Sequence, residues 1–495
     1  MNGATKDRPN VLLVVSDQER SREWLPADVR LPWREHLRAT GLELTNHWAH
    51  SSPCSPSRAT MMTGQYVPQH GVPDNVILPQ HAELDLDAPT IGRVLRGAGY
   101  RSSYIGKWHL SYGPTPKMDA YGYSDWDGDD RLFMGWAGTG VHFDPVIADN
   151  AAHWLRENGG TLDQPWFLTV ALVNPHDVMW FPADQPAYQE QHPEEIRMIR
   201  DFLAAAAWKD GDPLPAFTGE YDEVVDGLPP NFDDDLHAKP EAQRMWRWDQ
   251  QHAIWGHIDP TDTQSWRRQL DYYVQLHQLS DRSLGTVLTA LDESGAADDT
   301  VVIFTSDHGD MCGSHGLRSK GPFVYNEIMK VPLYVRAPGV TPAGASTSAL
   351  VSHVDLAPTI AALAGVHDHP DLKGVDLTPV LAVPDQSVRD YVLFALDSAH
   401  TRNIQRTRYS IRGMFDGRYK YARYYGVGGG IPNDGPDGST KLFDVGADFD
   451  NHDHELYDLQ EDPHELVNLA PDRGRREELR QRFAQLRSIE AVDFA

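Results

Sequence analysis

A cysteine in an unusual local sequence is the first residue that could carry out chemistry. Cys54 opens the run Cys54-Ser55-Pro56-Ser57-Arg58. Pro56 and Ser57 suit the start of a helix, so we expect Cys54 just before a helix N-terminus, where backbone N–H groups favour anions. Arg58 adds a positive charge one turn away. A lone cysteine is usually a small buried apolar residue, but the restrictive Cys-x-Pro-x-Arg pattern favours a nucleophile.

Polar residues follow four apolar segments that read as buried strands. These segments alternate with helical patterns at about 89–97, 149–157 and 271–294, which is typical of an α/β domain with a largely parallel sheet. Ligands of such sheets bind beyond the carboxyl ends of the strands, so the polar residues are expected to meet there. The strands and their polar ends are 11–15 with Asp17 and Gln18, 101–105 with Lys107 and His109, 166–173 with His176, and 300–305 with Asp307 and His308.

A metal site is expected at two of these strand ends. Asp17, Gln18, Asp307 and His308 offer mostly oxygen donors, which suit Ca²⁺, Mg²⁺ or Mn²⁺. The alternative for His308 is a histidine that only supports the ligands through hydrogen bonds.

Several of these motifs together resemble the formylglycine sulfatases of the alkaline phosphatase superfamily. The run 54–58 matches their modification motif, and 106–110 matches their second signature. Shorter matches occur at Thr63-Gly64, 174–176, 306–310 and 457–470. The resemblance extends from about residue 9 to residue 470, except for one insertion. It implies an alkaline phosphatase-like α/β fold, with a large mostly parallel sheet flanked by helices and a smaller C-terminal α+β subdomain that contains an antiparallel sheet.

The resemblance also implies the chemistry. Cys54 is oxidised to formylglycine, whose hydrate attacks sulfur, so a formylglycine-generating enzyme is an expected partner during maturation. Asp17, Gln18, Asp307 and His308 are the implied ligands of one divalent metal, alongside the oxygen of the nucleophile. Many sulfatases have a second Asp in place of Gln18 and Asn in place of His308. Ca²⁺ is the expected ion, but this departure, with less negative charge and one nitrogen donor, makes Mn²⁺ a serious alternative, and Mg²⁺ is a further one.

Cationic residues are candidates for binding sulfate and stabilising the leaving group. By the resemblance, Lys107 bridges the metal site and the sulfate, and His109 assists collapse of the formylglycine hemiacetal. His176 and Lys320 lie near the leaving oxygen. The remaining candidates are Arg58 as a further cation, Asn75 as a sulfate contact, Arg318 as a competitor for the role of Lys320, and His70, which either lines the site or caps a turn.

The chain organisation follows from changes in composition along its 495 residues. We predict a catalytic domain over 1–385 and a C-terminal subdomain over 386–495, with hairpin strands between 409 and 425, a loop at 428–438 and a helix at 475–489. Residues 182–265 are rich in Pro, Asp, Glu and Trp and read as an insertion with weak periodicity. This insertion either covers the mouth of the site or decorates the surface.

The composition of the chain limits the cellular compartments and the binding partners that we expect for the protein. The net charge of −28 repels polyanions, which argues against nucleic acid. No apolar run is long enough for a membrane span, no signal peptide is recognisable, and two cysteines fit a reducing compartment. We therefore expect a cytoplasmic enzyme with no membrane partner, and the composition leaves a homo-oligomer open.

Hydrolysis of a small-molecule sulfate monoester, aryl or alkyl, is the favoured function. The alternative is a phosphonate monoester or phosphodiester hydrolase with the same nucleophile, because relatives of that type share the Asp/Gln and Asp/His metal pattern. A third interpretation is an unmodified binding protein. Trp180 and Phe181 follow His176 and form either an apolar wall for the leaving group or part of the core.

Overall fold

The computed structural model describes residues 8–77, 81–113, 117–128, 130, 134–206, 212–250, 254–397, 408–426 and 445–495. Its strands, in chain order, are β1 (Asn10–Asp17), β2 (Leu42–Leu44), β3 (His47–Trp48), β4 (Arg101–Gly106), β5 (Asp125–Asp127), β6 (Trp166–Pro175), β7 (Thr300–Ser306), β8 (Leu333–Arg336), β9 (Ala345–Thr347), β10 (Val351–Ser352), β11 (Val392–Leu396), β12 (Ser410–Phe415), β13 (Tyr419–Tyr425) and β14 (Asp453–Asp458).

The α-helices of the described residues surround these strands. They are α1 (Pro32–Thr40), α2 (Cys54–Thr63), α3 (Val67–His70), α4 (Ile91–Gly97), α5 (Thr139–Asn158), α6 (Pro186–Gln191), α7 (Pro193–Ala206), α8 (Glu241–Gln250), α9 (Thr263–Glu293), α10 (Asn326–Met329), α11 (Leu356–Leu363), α12 (Thr378–Ala382) and α13 (Arg476–Asp493).

The central sheet has eight strands in the order β5-β4-β6-β1-β7-β8-β2-β9. Pairing is parallel from β5 through β7, and β8 is antiparallel to both of its neighbours. The four predicted strands are β1, β4, β6 and β7, which lie side by side. The predicted α/β fold with a largely parallel sheet is confirmed.

Strand β1 shows why its sequence is apolar throughout. Val11, Leu13 and Val15 pack on one face of the sheet, in a core that includes residues of α2, α4 and α11. Leu12 and Val14 point to the opposite face and join a second core with residues of α5 and α9. Because helices cover both faces, both sets of side chains are buried, as expected for a parallel sheet.

A second, antiparallel sheet lies in the C-terminal part of the chain, in the order β11-β12-β13-β14. The predicted hairpin is confirmed as β12 and β13, which pair from Ser410–Tyr425 to Phe415–Lys420. The turn between them contains Gly417 at φ 92°, a backbone conformation that favours glycine. The predicted loop at 428–438 lies outside the described residues, and the domain boundary near residue 385 stays a prediction.

The insertion is more regular than its sequence indicated. Helices α6, α7 and α8 fall inside 182–265, and its last residues already belong to α9, which begins at Thr263. Pro186 and Pro193 each start a new helix, and these breaks keep α6 too short to show a clear period. No helix among the described residues is long and apolar enough to cross a membrane.

Candidate active site

The predicted site residues lie together at one edge of the sheet, at the carboxyl ends of its parallel strands. Asp17 is the last residue of β1, and Asp307 directly follows the neighbouring β7. On the other side of β1, His176 follows β6, and Lys107 follows β4. All four side chains are buried, so their charges act on each other with little screening by water.

Cys54 is the first residue of α2, two residues earlier than the predicted helix start at Pro56. Its Sγ lies 3.2 Å from His308 Nε2, 3.7 Å from Asp17 Oδ1 and 3.9 Å from Lys107 Nζ. Burial and Asp17 raise the pKa of the Cys54 thiol, but Lys107 and Lys320 outweigh them and lower it overall. The position of the sulfur therefore favours an anion.

Four potential metal donors surround this point. Single donor atoms of Asp17, Cys54, Asp307 and His308 all lie within 4.8 Å of one another, and all four residues are buried. Two carboxylates with one imidazole fit a divalent cation that prefers oxygen donors. Gln18 lies beside them, but its amide oxygen accepts a hydrogen bond from Lys320 and its amide nitrogen donates to Asp310.

Arg58 connects the two carboxylates rather than pointing to open space. Its Nε donates to Asp307 Oδ2 at 2.9 Å, its Nη2 to Asp17 Oδ2 at 3.0 Å, and its Nη1 to the Lys107 carbonyl at 2.9 Å. Burial alone would raise the pKa of Asp17, but the positive charges of Lys107 and Arg58 hold it well below its usual value. The structure thus places Arg58 as a residue that orients the proposed metal ligands.

Lys107 reaches from its strand end into the same cluster. Its Nζ lies 2.6 Å from Asp17 Oδ2 and donates to the Met134 carbonyl at 2.9 Å. Because the ammonium also lies near Cys54 Sγ, it can contact both Asp17 and an anion bound next to residue 54.

His109 is held by a residue that sequence reasoning missed. The Oδ1 of Asp130 accepts the backbone N–H groups of Trp108 at 3.1 Å and His109 at 2.6 Å. His109 has φ 61°, which is rare for a residue other than glycine. Both of its ring nitrogens are buried without a partner among the described residues. Nothing in the local sequence around Asp130 indicates this role, because the fold alone brings residues 130 and 109 together.

His176 packs against a glycine on the opposite side of the site. A Cβ at Gly135 would lie 2.2 Å from His176 Cε1, so the ring rests on the bare backbone. Burial, together with Lys320 and Lys107, keeps the pKa of His176 well below its usual value, so the ring is neutral. Its Nδ1 is buried and unpartnered among the described residues, which leaves it available to a ligand.

The structure separates the two cations that competed for one role. Lys320 Nζ hydrogen-bonds Gln18 Oε1 and lies 3.7 Å from Met179 Sδ, at the metal-ligand cluster. Arg318 instead donates to the carbonyls of Gly256 and Phe181, so it anchors the insertion.

The other site residues predicted from the sequence hold the backbone or pack in the core around the site. Asn75 Oδ1 accepts the N–H of Ser55 at 2.9 Å and so caps the start of α2. His70 Nδ1 accepts the N–H of Val72 at 3.2 Å, which supports the turn-capping interpretation. Trp180 and Phe181 are both buried, and Trp180 donates to the Gly135 carbonyl at 2.9 Å.

Comparison with known proteins identifies the family. The family model for sulfatases matches residues 9–366, and a model for the C-terminal part of N-sulphoglucosamine sulphohydrolase matches residues 313–428. The chain belongs to the sulfatase family. The predicted enzyme class, a sulfuric ester hydrolase, is thereby confirmed. The family implies a metal site, and the buried group of Asp17, Cys54, Asp307 and His308 is a candidate for it.

Relatives named as sulfatases, and a solved structure with a similar fold, match nearly the whole chain. An N-acetylglucosamine-6-O-sulfatase from Bacteroides thetaiotaomicron is 24% identical over 93% of this chain and 82% of its own. A choline-sulfatase from Rhizobium meliloti is 27% identical over 94% and 82%. A phosphonate monoester hydrolase from Silicibacter pomeroyi has a similar fold, with a TM-score of 0.70, 20% identity and coverage of 98% of this chain and 96% of its own.

Proposed function

We propose that this sulfatase hydrolyses small sulfate monoesters, aryl or alkyl, with formylglycine made from Cys54 as its nucleophile. One observation carries the proposal. Residue 54 is the first residue of α2. Its side chain lies within a buried cluster of two carboxylates, an imidazole and the Lys107 ammonium. These cationic and metal-binding groups suit both an oxygen nucleophile and the anionic sulfate group that it attacks.

The proposed metal site consists of Asp17, Asp307, His308 and Gln18, together with the residue at position 54. Ca²⁺ is the expected ion because most of the donors are oxygen, and Mn²⁺ or Mg²⁺ are alternatives because of the imidazole. When bound, the metal supplies positive charge for the sulfate oxygens and favours the ionised nucleophile. Gln18 can serve as a ligand only if its amide oxygen leaves Lys320 or is shared with it.

The remaining residues bind and polarise the substrate. Lys107 holds a sulfate oxygen. His109, whose two ring nitrogens have no partner among the described residues, would accept a proton from the second hydroxyl of the formylglycine hydrate once the first hydroxyl oxygen carries the sulfate. The C=O bond would then form again as the C–O bond to sulfate breaks, and water would restore the hydrate. Attack forms a new S–O bond and breaks the S–O bond to the alcohol, whose oxygen takes up negative charge and then a proton. Lys320 stabilises that charge, and neutral His176 offers a hydrogen bond. Arg58 and Asn75 act by positioning, through the ligands and through helix α2.

The nucleophile is tested by producing the protein together with a formylglycine-generating enzyme. Mass spectrometry of the peptide around Cys54 should show the sulfur replaced by a carbonyl oxygen, and Cys54→Ala should abolish turnover of 4-nitrophenyl sulfate. Cys312→Ala is the matched control, since Cys312 is the other buried cysteine. Full activity of Cys54→Ala would remove this proposal.

A phosphonate monoester or phosphodiester hydrolase is the second candidate. The observations that favour it are Gln18 and His308 at the metal site and the structural likeness to a phosphonate monoester hydrolase. Sulfate esters, phosphonate monoesters and phosphodiesters are all monoanions. The discriminating measurement is kcat/KM for 4-nitrophenol presented as sulfate, phosphate monoester and phenylphosphonate. A wide preference for phenylphosphonate would make this second candidate the better proposal.

The cellular setting is also a proposal. We propose a cytoplasmic enzyme that meets a formylglycine-generating enzyme during maturation and does not bind nucleic acid or membrane. The net charge of −28 supports the exclusion of polyanions. Association into a homo-oligomer would be measured by light scattering of the purified enzyme.

A further inference from the structure

The side chain of Gln18 is held at both ends of its amide group. The amide nitrogen donates a hydrogen bond to Asp310 Oδ2, and the amide oxygen accepts one from Lys320 Nζ. All three residues are buried, with Gln18 completely enclosed and only 1% of Asp310 and 5% of Lys320 exposed. Water therefore has little access to this row of side chains, and each donor depends on the acceptor that the protein provides.

The two partners of Gln18 leave its amide only one orientation. A carboxylate can only accept hydrogen bonds, and an ammonium group can only donate them. A flip of the amide would turn its nitrogen towards Lys320 and its oxygen towards Asp310, so donor would face donor and acceptor would face acceptor. The amide oxygen is therefore fixed on the side of Lys320, whose charge also acts on the Cys54 thiol and lowers its pKa.

Asp310 is itself held in place by the backbone. Its Oδ1 accepts the N–H of Cys312 at 2.7 Å, so both oxygens of the carboxylate are committed. The backbone N–H of Gln18 donates to Asp307 Oδ1 at 3.0 Å. The contact between Asp310 and Gln18 thus joins the loop after β7 to the end of β1, which are the two segments that carry the proposed metal ligands.

The same contacts separate the negative charge of Asp310 from the positive charge of Lys320. Among the described residues, the partners of the Lys320 ammonium are two neutral groups, Gln18 Oε1 and, at 3.7 Å, Met179 Sδ. A carboxylate in direct contact with the ammonium would compete with a negatively charged leaving oxygen. Because the Gln18 amide lies between the two ions, the positive charge of Lys320 is left for the substrate.

We propose that Asp310 is a positioning residue of the sulfatase reaction. It directs the amide oxygen of Gln18 towards Lys320 and the metal-ligand group, and it does so without placing a carboxylate on Lys320. This inference rests on the proposed function, because it concerns the same metal and the same leaving oxygen. It also predicts that positions 18 and 310 are matched, since a carboxylate of the same length in place of Gln18 would face the carboxylate of Asp310.

The test moves the negative charge from position 310 to position 18. In Asp310→Asn, the new side chain has one acceptor oxygen for two donors, the N–H of Cys312 and the amide nitrogen of Gln18. Gln18 then loses its fixed orientation, so Ca²⁺ binding by the fully modified enzyme, measured by equilibrium dialysis, should weaken by about 10- to 100-fold. Gln18→Glu combined with Asp310→Asn gives every donor an acceptor again, and Ca²⁺ affinity should return at least to the wild-type value.

Kinetics of the double variant separate the two effects of Asp310. Its carboxylate at position 18 contacts Lys320 directly, so the cation should serve a leaving alkoxide less well. We expect kcat for hexyl sulfate to stay at least about tenfold below wild type, and kcat for 4-nitrophenyl sulfate to recover to within about threefold. A residue with a merely structural role would not produce this split between the substrates.

Asp397→Asn is the matched control, because Asp397 is also a buried carboxylate but pairs with Arg412 of β12. Whatever its effect on unfolding, it should change neither the Ca²⁺ affinity nor the ratio of the two substrates. Unchanged Ca²⁺ affinity in Asp310→Asn, or no recovery in the double variant, would overturn the inference.

A crystal structure of the wild-type enzyme with Ca²⁺ bound decides the case even if the variants do not fold. One end of the Gln18 amide should then lie within hydrogen-bond distance of Asp310, and a Gln18 side chain turned away from Asp310 would overturn the inference. Wild-type failure on 4-nitrophenyl sulfate, with phenylphosphonate preferred, would instead refute the proposed function, whereas the Ca²⁺ affinities would still decide the role of Asp310.

Discussion

Removing the carboxyl group of Asp130 should disturb catalysis through His109, because Asp130 holds the backbone of His109 but has no proposed contact of its own with substrate. Asp130→Ala leaves the buried N–H groups of Trp108 and His109 without their acceptor. Each unpaired buried donor costs about 1–3 kcal/mol, so the native turn loses about 2–6 kcal/mol of stabilisation. The backbone of His109, at φ 61°, is already disfavoured by about 1–2 kcal/mol, so we expect the turn to relax and move the ring.

The kinetic effect follows from the geometry of that turn. A displacement of about 1 Å in a catalytic group costs on the order of 100-fold in rate, so kcat of Asp130→Ala with 4-nitrophenyl sulfate should fall by about that factor. Asp130→Asn keeps an acceptor oxygen at the same position, although a neutral one, and its loss should stay below about tenfold. Formylglycine content should be measured by peptide mass in each variant, so that rates are compared per modified site.

The pH dependence of stability provides an independent check. Burial raises the pKa of Asp130 to about 7, although the two N–H groups act to lower it. A carboxyl with a raised pKa in the folded state contributes its stability at low pH and loses it as pH rises from about 4 to about 7. Asn does not titrate, so the stability of Asp130→Asn relative to wild type should increase by up to about 4 kcal/mol over that window.

The matched control is Asp119→Ala, whose side chain is 83% exposed. It should leave kcat and unfolding nearly unchanged. If Asp130→Ala behaves like this control in both rate and chemical denaturation, the positioning role assigned to Asp130 is wrong. A pH-independent stability difference for Asp130→Asn would contradict the raised pKa.

Three further outcomes test the metal site and the leaving-group side. Asp307→Ala should lose its divalent metal on dialysis, as measured by metal analysis, and should lose most of its turnover. A normal metal content would contradict the assignment of Asp307 as a ligand. Lys320→Ala should slow alkyl sulfates more than 4-nitrophenyl sulfate, because an alkoxide keeps its negative charge on the leaving oxygen whereas 4-nitrophenolate spreads it over the ring. Equal losses would argue against a role of Lys320 at the leaving oxygen. Trp246→Phe removes the hydrogen bond from Trp246 of α8 to the Arg318 carbonyl, which is worth about 1 kcal/mol. We expect kcat on alkyl sulfates to fall by about fivefold. An unchanged kcat would show that α8 does not help to position Lys320.

The strands and their polar ends could be predicted from sequence because the evidence for them is local. A buried parallel strand is a short apolar run, and the residue that follows it must lie at the edge where ligands bind. Asp17, Lys107, His176 and Asp307 each follow such a run, so their convergence needed no knowledge of tertiary contacts.

Residues whose role depends on distant contacts could not be found in this way. Asp130 and Gly135 act on His109 and His176, respectively, only because the fold brings them together. Arg58 reads as one more cation in the sequence, and only the structure shows its three donors committed to two carboxylates and a carbonyl. The helices of the insertion were obscured by prolines such as Pro186 and Pro193, each of which starts a new helix.

The residues that follow Cys54 explain how a single helix can set the geometry of the site. Ser55 donates to the carbonyl of His109, Ser57 donates to the carbonyl of Asp307, and Arg58 binds the side chains of Asp307 and Asp17. Together these contacts join α2 to the ends of β4, β7 and β1, and all of them are buried. Residues 54–58, which resemble the modification motif of the family, therefore also fix the first turn of α2 against the proposed metal ligands. Because Arg58 neutralises part of their charge, the two carboxylates can approach each other before a metal binds. The side chain at position 54 already lies beside Asp17 and His308.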